Sequence, residues 1–178
     1  MKINKSASGP VQAGQTARRA ADGQDYRDAM ARVASAVHII ATDGPAGRAG
    51  LTMTAVASIS DNPPLLLICV NRALHSGARL IENGVFCVNT LAAADQPLAD
   101  VFAGRTGQHL DARFPQGRWT TLATGAPMLE SALAAFDCRV VEVKDLGTHH
   151  VVIGQVVAVR SPGDGASLLY HERTYRAV

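Results

Sequence analysis

Short alcohol side chains recur in the stretch GLTMTAVASIS, where Thr52, Thr54, Ser58 and Ser60 share one parity. In an extended strand, alternate residues face the same way. The row therefore serves either a wet sheet face, as antiparallel sheets often have, or a ligand that bonds to hydroxyls and main-chain amides. Two details favour a ligand. The opposite parity, Leu51, Met53, Ala55, Ala57 and Ile59, contains small alanines that let a flat molecule approach. The stretch also lacks the Lys and Glu residues that usually cover a solvated face.

A second set of polar groups follows in NRALHSG. Asn71 and Ser76 flank the exit of one strand and the start of a helix, with Arg72 and Arg79 close in sequence. A helix N-terminus attracts anions, so a phosphate could rest there without a Walker-type loop. Ser76 is equally suited to capping that helix.

The rest of the chain offers little chemistry of its own. It contains no G-x-x-x-x-G-K-[ST], no G-x-G-x-x-G, no G-x-S-x-G and no H-E-x-x-H. His149 and His150 are neighbours in a predicted strand, so their rings point to opposite faces and do not chelate one ion. No metal site is expected. Asp137 and Glu142 alternate with Arg139 and Lys144, a pattern that reads as a solvated strand face. Cys69, Cys87 and Cys138 lie in apolar runs without ligand spacing and read as buried free thiols, which fits a reducing, cytoplasmic setting. An enzyme with this inventory needs its chemistry from a cofactor.

The elements that must position these groups are mostly strands. A chain of 178 residues with 47% hydrophobic content and a formal charge of +2 suits one soluble domain, and excludes a basic nucleic-acid binder. No apolar run reaches membrane-spanning length. Residues 1–25 read as a flexible N-terminal arm and 26–178 as the domain. The pattern predicts a helix over 25–37 capped by Asp25, with Met30, Val33 and Val37 inward. It then predicts a hairpin of HIIAT with GLTMTAVASIS, stopped by NPP, and a doubly covered apolar strand LLLICVN. HSGARLIEN reads as a helix, GVFCVNTL as a strand and ADQPLADVFAG as a helix opened near its proline. RTGQHLDARFPQGRWTTLATG reads as a polar irregular loop. MLESALAAFDCRVVEVKDLG reads as one long strand paired with THHVVIGQVVAVRS, and SLLYHERTYRAV supplies short strand pieces. Strands joined by tight turns favour a mainly β, closed or nearly closed antiparallel barrel with peripheral helices.

The order of these features resembles the flavin reductase family of two-component monooxygenase systems. The matching pieces are YRDAM, AVHIIATDGPAGRAGLTMTAVASISDNPPLLLICVNR, FCVNTL, FDCRVVEV, GTHHVVIGQVVAV and LLYHERTY, which cover Tyr26 to Tyr175. The run from DGPAGRAG to NPP is similar to the branch that holds the reductase partners of 4-hydroxyphenylacetate and pyrimidine-ring-opening monooxygenases.

The resemblance implies a Greek-key FMN-binding split barrel and an NAD(P)H:flavin oxidoreductase. Its flavin would be FMN or FAD and its hydride donor NADH or NADPH. It implies that Thr52, Met53, Thr54, Ala55 and Val56 line the flavin ring, and that Asn71, Arg72 and Ser76 lie near the ribityl chain and phosphate. It places His149 near the nicotinamide as the catalytic residue, and matches Arg173 and Tyr175 to a C-terminal Arg-x-Tyr, with Tyr175 a cofactor contact. This chain departs from the family pattern twice: Leu74 stands where NRSSHT has a hydroxyl, and Thr148 where a Gly-Asp-His turn has a carboxylate. The implied partners are an oxygenase component that receives reduced flavin and a second copy of the chain in a homodimer. Arg105, Arg113 and Arg118 are placed to meet a 2′-phosphate if the donor is NADPH. The same residues also suit a flavin-binding sensor or storage module, or a reductase whose flavin stays bound, because fold does not fix function.

Overall fold

The stretch 49–61, one strand by its sequence pattern, is two strands that lie on opposite edges of the same sheet. In the computed structural model, which describes residues 21–161 and 165–178, α1 (Gly23–Met30) is followed by β1 (Ser35–Ala36), β2 (His38–Thr42), β3 (Ala49–Met53), β4 (Val56–Asp61) and β5 (Pro64–Asn71). Then come α2 (His75–Asn83), β6 (Val85–Thr90), α3 (Gln96–Phe102), β7 (Trp119–Thr121), β8 (Pro127–Leu129), β9 (Ala134–Leu146), β10 (His149–Arg160), β11 (Leu168–His171) and β12 (Thr174–Ala177). The main sheet has the antiparallel order β3-β2-β6-β9-β10-β5-β4. Its two edges, β3 and β4, are joined by only Thr54 and Ala55. That corner bends the sheet back on itself and leaves the barrel split there. A smaller sheet, β1-β11-β12, and the pair β7-β8 complete the architecture.

The corner overturns the single row of hydroxyls. Ser58 and Ser60 lie beyond it on β4, and a register shift separates them. Only Thr52 and Thr54 remain on the β3 side. The Asn62-Pro63 peptide is cis and Asp61 pairs with Pro64, so NPP does not take the chain out of the sheet; it closes the β4-β5 hairpin. On β5, Leu66, Ile68 and Val70 are buried, while the alternate residues are only partly covered.

Several other expectations change. α1 is shorter than the predicted helix because Asp22, not Asp25, caps it, accepting from the amides of Gln24 and Asp25 at 2.8 Å. It buries no residue; Met30 and Val33 are about half exposed, and Val37 enters the core only after the helix has ended. Gly23 to Asp25, expected in the arm, are helical, and the arm's first twenty positions lie outside the described residues. The polar stretch after α3 is ordered around aromatic rings. A 3-10 helix, Leu110–Gln116, buries Phe114 against Phe102 at 5.1 Å between centroids, and Trp119 closes the trio at 5.0 Å from Phe114. The predicted long strand divides into β8, which pairs with β7, and β9.

Asp137 is wholly buried, not part of a solvated face. β9 turns that residue inward, and its carboxylate accepts from the Thr124 amide at 2.7 Å and from the Thr124 hydroxyl. Among the described residues three apolar clusters form the core, one around Phe102, a second around Phe86 and a smaller one around Met128. Gly154 makes the second possible: a Cβ there would lie 2.5 Å from Phe86 Cζ. Cys87 and Cys138 are buried free thiols as expected, and Cys69 is partly covered. No helix among the described residues is long and apolar enough to cross a membrane.

Candidate functional site

The site is built at the split in the barrel. β3 pairs only with β2 among the described residues, so its outer edge has no strand partner; the Thr54 carbonyl accepts from the Val56 amide at 2.9 Å. A narrow cleft of about 230 Å³ runs along this edge, lined by Val37, Thr52, Met53, Thr54, Ala103, Arg105, Tyr170 and Tyr175. It continues in both directions. Toward α2, through Thr52 and Ala103, lies a cleft of about 460 Å³ with Leu74, His75, Ser76, His109 and Arg113 on its walls. Toward α1, through Thr54 and Tyr170, lies one of about 520 Å³ that includes Arg27 and Arg173. A larger cleft of about 550 Å³ elsewhere, between Asp95 and Arg118, is lined by Arg118 but by none of the residues expected to hold the flavin or nicotinamide.

The hydrogen bonds show which polar groups are already engaged. Thr52 Oγ1 donates to the Ala99 carbonyl at 2.7 Å, tying the wall to α3. Ser76 Oγ, buried in the first turn of α2, donates to the Gly50 carbonyl at 3.3 Å. Leu74, not Ser76, occupies the N-cap position, and no side chain caps that helix. Arg113 binds three carbonyls: Gln108 at 3.0 Å, Gly50 at 3.0 Å and Phe102 at 3.2 Å. Burial lowers its pKa. Thr54 is exposed at the corner.

Tyr175 and Tyr170 face each other across the β11-β12 hairpin, with ring centroids 5.3 Å apart. The Arg105 guanidinium lies 5.3 Å from the Tyr175 centroid and is held by Asp100 at 2.7 Å. Burial raises the Tyr175 phenol, and the charge of Arg105 opposes that shift. Behind the wall, His38 pairs across the ladder with Met53 and lies 3.1 Å from Thr90 Oγ1. Burial pushes its pKa down to about 4, so it is neutral at ordinary pH.

The structure brings Thr52, Met53, Thr54, Ser76 and Tyr175 to one groove. Ala55 completes the corner, its carbonyl accepting from the Cys69 amide, and Val56 begins β4 and packs on the Phe86 cluster. Asn71, Arg72 and His149 are grouped separately, at the end of the β5-β10 ladder where Asn71 pairs with His149. Asn71 Oδ1 accepts from the Ala73 amide at 2.9 Å and so shapes the turn into α2. Arg72 pairs with Asp145 at 3.6 Å, and His149 Nδ1 lies 2.9 Å from Thr148 Oγ1. His149 is not part of the groove's lining within one chain. Of the three arginines set aside for a 2′-phosphate, Arg105 and Arg113 line the groove, whereas Arg118 pairs with Glu130 in the separate cleft. Tyr170 and Ala103 were not legible as site residues. The spacing in LLYHERTY could have found Tyr170, because a two-residue turn at Glu172 and Arg173 sets it opposite Tyr175.

Residues 30–178 match the model of the flavin reductase like domain. An FMN reductase (NADH) RutF from Methylorubrum populi is 52% identical over 157 residues, covering 88% of this chain and 77% of that protein. One of the same description from Variovorax paradoxus is 50% identical over 154 residues, 86% of this chain and 84% of that one. Among solved structures, BorF, the flavin reductase component of a bacterial two-component tryptophan halogenase, superposes with a TM-score of 0.81 at 29% identity over 88% of this chain and 98% of its own. The styrene monooxygenase flavin reductase of Pseudomonas putida S12 gives 0.77 at 25% identity over 86% and 97%. The chain is a mainly β split barrel and belongs to the flavin reductase family.

Proposed function

We infer that the chain is an NADH-dependent FMN reductase that provides reduced flavin to a separate oxygenase component. The observation that carries this reading is the groove itself. An unpaired strand edge with an exposed hydroxyl runs beside apolar Val37, Met53 and the rings of Tyr170 and Tyr175. This suits a flat heterocycle with a polar rim. The central cleft alone is smaller than the roughly 300–1,000 Å³ of a usual ligand pocket. With its two flanks it has room for a ring and the tails that leave it.

Flavin, when bound, would supply the chemistry, acceptance of a hydride from a dihydronicotinamide with no metal required. The chain's part is alignment and polarity. The β3 edge and Thr54 offer donors toward the rim of the ring, where negative charge gathers on reduction. Thr52 is a spacer, because its hydrogen is committed to Ala99 and only its lone pairs face the cleft. Met53 and Tyr175 exclude water from the ring's surroundings. Ser76, with its hydroxyl on Gly50, gives the α2 flank its shape, and the uncapped amides of α2 are the donors for the flavin phosphate. Asn71 holds the turn that presents them.

His149 reaches such a groove from a second copy of the chain in a homodimer. Val157 and Val159 on β10 are exposed, as are Ile59 and Val141, which supports an apolar contact between copies. The same composition and family favour a cytoplasmic protein. NADH oxidation with FMN, FAD and riboflavin as acceptors tests the activity. FMN-dependent turnover is expected, and none with any flavin would refute it. His149→Ala is expected to lower turnover more than flavin affinity, and sedimentation of an active monomer would remove the dimer.

A further inference from the structure

Two nucleotides that exchange a hydride must lay their rings in one slot, and their charged tails need room outside it. The groove has that form. Its central cleft opens at one end to α2 and Arg113, and at the other, past Thr54 and Tyr170, to the flank beside α1. The α1 flank carries Arg27 and Arg173. Arg27 donates to Gln24 Oε1 at 2.7 Å, which sets its guanidinium along the helix.

Arg173 is held there by an unusual turn. The β11-β12 hairpin closes with Glu172 and Arg173, whose φ angles are 51° and 60°. Both lie in the left-handed region that such two-residue turns usually fill with Asn-Gly. α1 and the residues after it pin the tip. The Glu172 amide donates to the Ala31 carbonyl at 2.7 Å, Arg32 pairs with Glu172, and Arg173 pairs with Asp28. A residue type poorly suited to the backbone is thus fixed beside Arg27. Arg27 and Arg173 are the charged residues that line this flank; the Asp28 and Glu172 carboxylates beside it are paired with Arg173 and Arg32.

We propose that the α1 flank binds the diphosphate of the dinucleotide hydride donor, with Arg27 and Arg173 as the residues that hold it; this rests on the central cleft taking the flavin ring. Guanidinium forks match phosphate oxygens in geometry and charge. The flavin phosphate then belongs to the opposite flank, at α2.

The test uses the full chain, its Arg27→Gln and Arg173→Gly variants, and Arg118→Gln as a distant control. ADP-ribose, which has the diphosphate but no nicotinamide, is titrated calorimetrically, so the result does not depend on turnover. Both groove variants should weaken ADP-ribose about ten- to hundredfold, the range of a lost charge-assisted bond, and raise the KM for NADH similarly. Turnover with 1-benzyl-1,4-dihydronicotinamide, which has no phosphate, should respond far less. Arg173→Gly should also keep or raise the melting temperature, since glycine suits the turn, which separates binding from structure. Unchanged ADP-ribose affinity in both variants overturns the proposal. So does a rise in the KM for FMN but not for riboflavin, which would assign the flank to the flavin phosphate. Absence of flavin reduction by the unaltered chain, with ADP-ribose binding still dependent on the arginines, would refute the reductase reading while leaving the diphosphate site standing.

Discussion

The hydroxyl of Thr52 and the carbonyl of Ala99 are joined at 2.7 Å, so the wall of the groove and the middle of α3 form one unit. Valine at position 52 keeps the shape but removes one of the two donors to that carbonyl, which keeps the Ala103 amide at 2.9 Å. Thr52→Val is expected to cost about 1–2 kcal/mol in urea unfolding, and Thr52→Ser to recover most of it. Equal stability of all three would show that the bond contributes nothing.

His38 makes stability depend on acid. Its folded pKa of about 4 lies below the ordinary 6.5. Above pH 6.5 both folded and unfolded states are neutral, and the group has no effect. As pH falls from 6.5 toward 4 the unfolded chain binds the proton first, so folding weakens. Between pH 7 and 4.5 the loss should be about 2–3 kcal/mol. Denaturant titrations at the two pH values should show it, and His38→Gln should flatten that part of the dependence.

The thiols should react in order of access. Burial and the nearby Asp137 charge raise Cys138 to about 12 and push Cys87 up as well. Cys69 is the more accessible of the three. A disulfide reagent at pH 8 is expected to modify Cys69 first and the other two only on unfolding. Mass mapping of the labelled peptides decides this.

Asp137 should be among the most sensitive buried positions. Removing its carboxylate strands the Thr124 amide and hydroxyl it accepts from. Asp137→Ala is expected to cost about 3 kcal/mol or more, and Asp137→Asn less. A calorimetric melt of the three proteins checks the order.

Much of the fold was legible because most elements carry strong local signals. α2 is bounded as expected because Gly84 takes the left-handed cap at its end, with φ 68°. β10 and the β2-β3 hairpin follow from apolar runs and tight turns. The corner at Thr54 and Ala55 was not legible, since nothing in TMTAVA breaks the alternation; the sheet's closure forces the bend. Asp137 was misread because charge alternation along a strand does not reveal a partner 13 positions away, at Thr124. Phe114 and Trp119 were hidden among polar residues, and their packing on Phe102 depends on tertiary contact. The groove residues on β3 were found, whereas Tyr170 and the Arg27–Arg173 flank come from elements far apart in the chain.

Arg113 reaches the backbone of Gly50, Phe102 and Gln108 with one side chain. It acts as a latch with three catches on a single bolt. The segment from Ala103 to Ala112 cannot loosen by degrees at these points, because withdrawing the one guanidinium releases every catch together. Replacing that one side chain would therefore unfasten β3, the end of α3 and the loop after it together, while Arg105, paired with Asp100, would still tie the loop to α3.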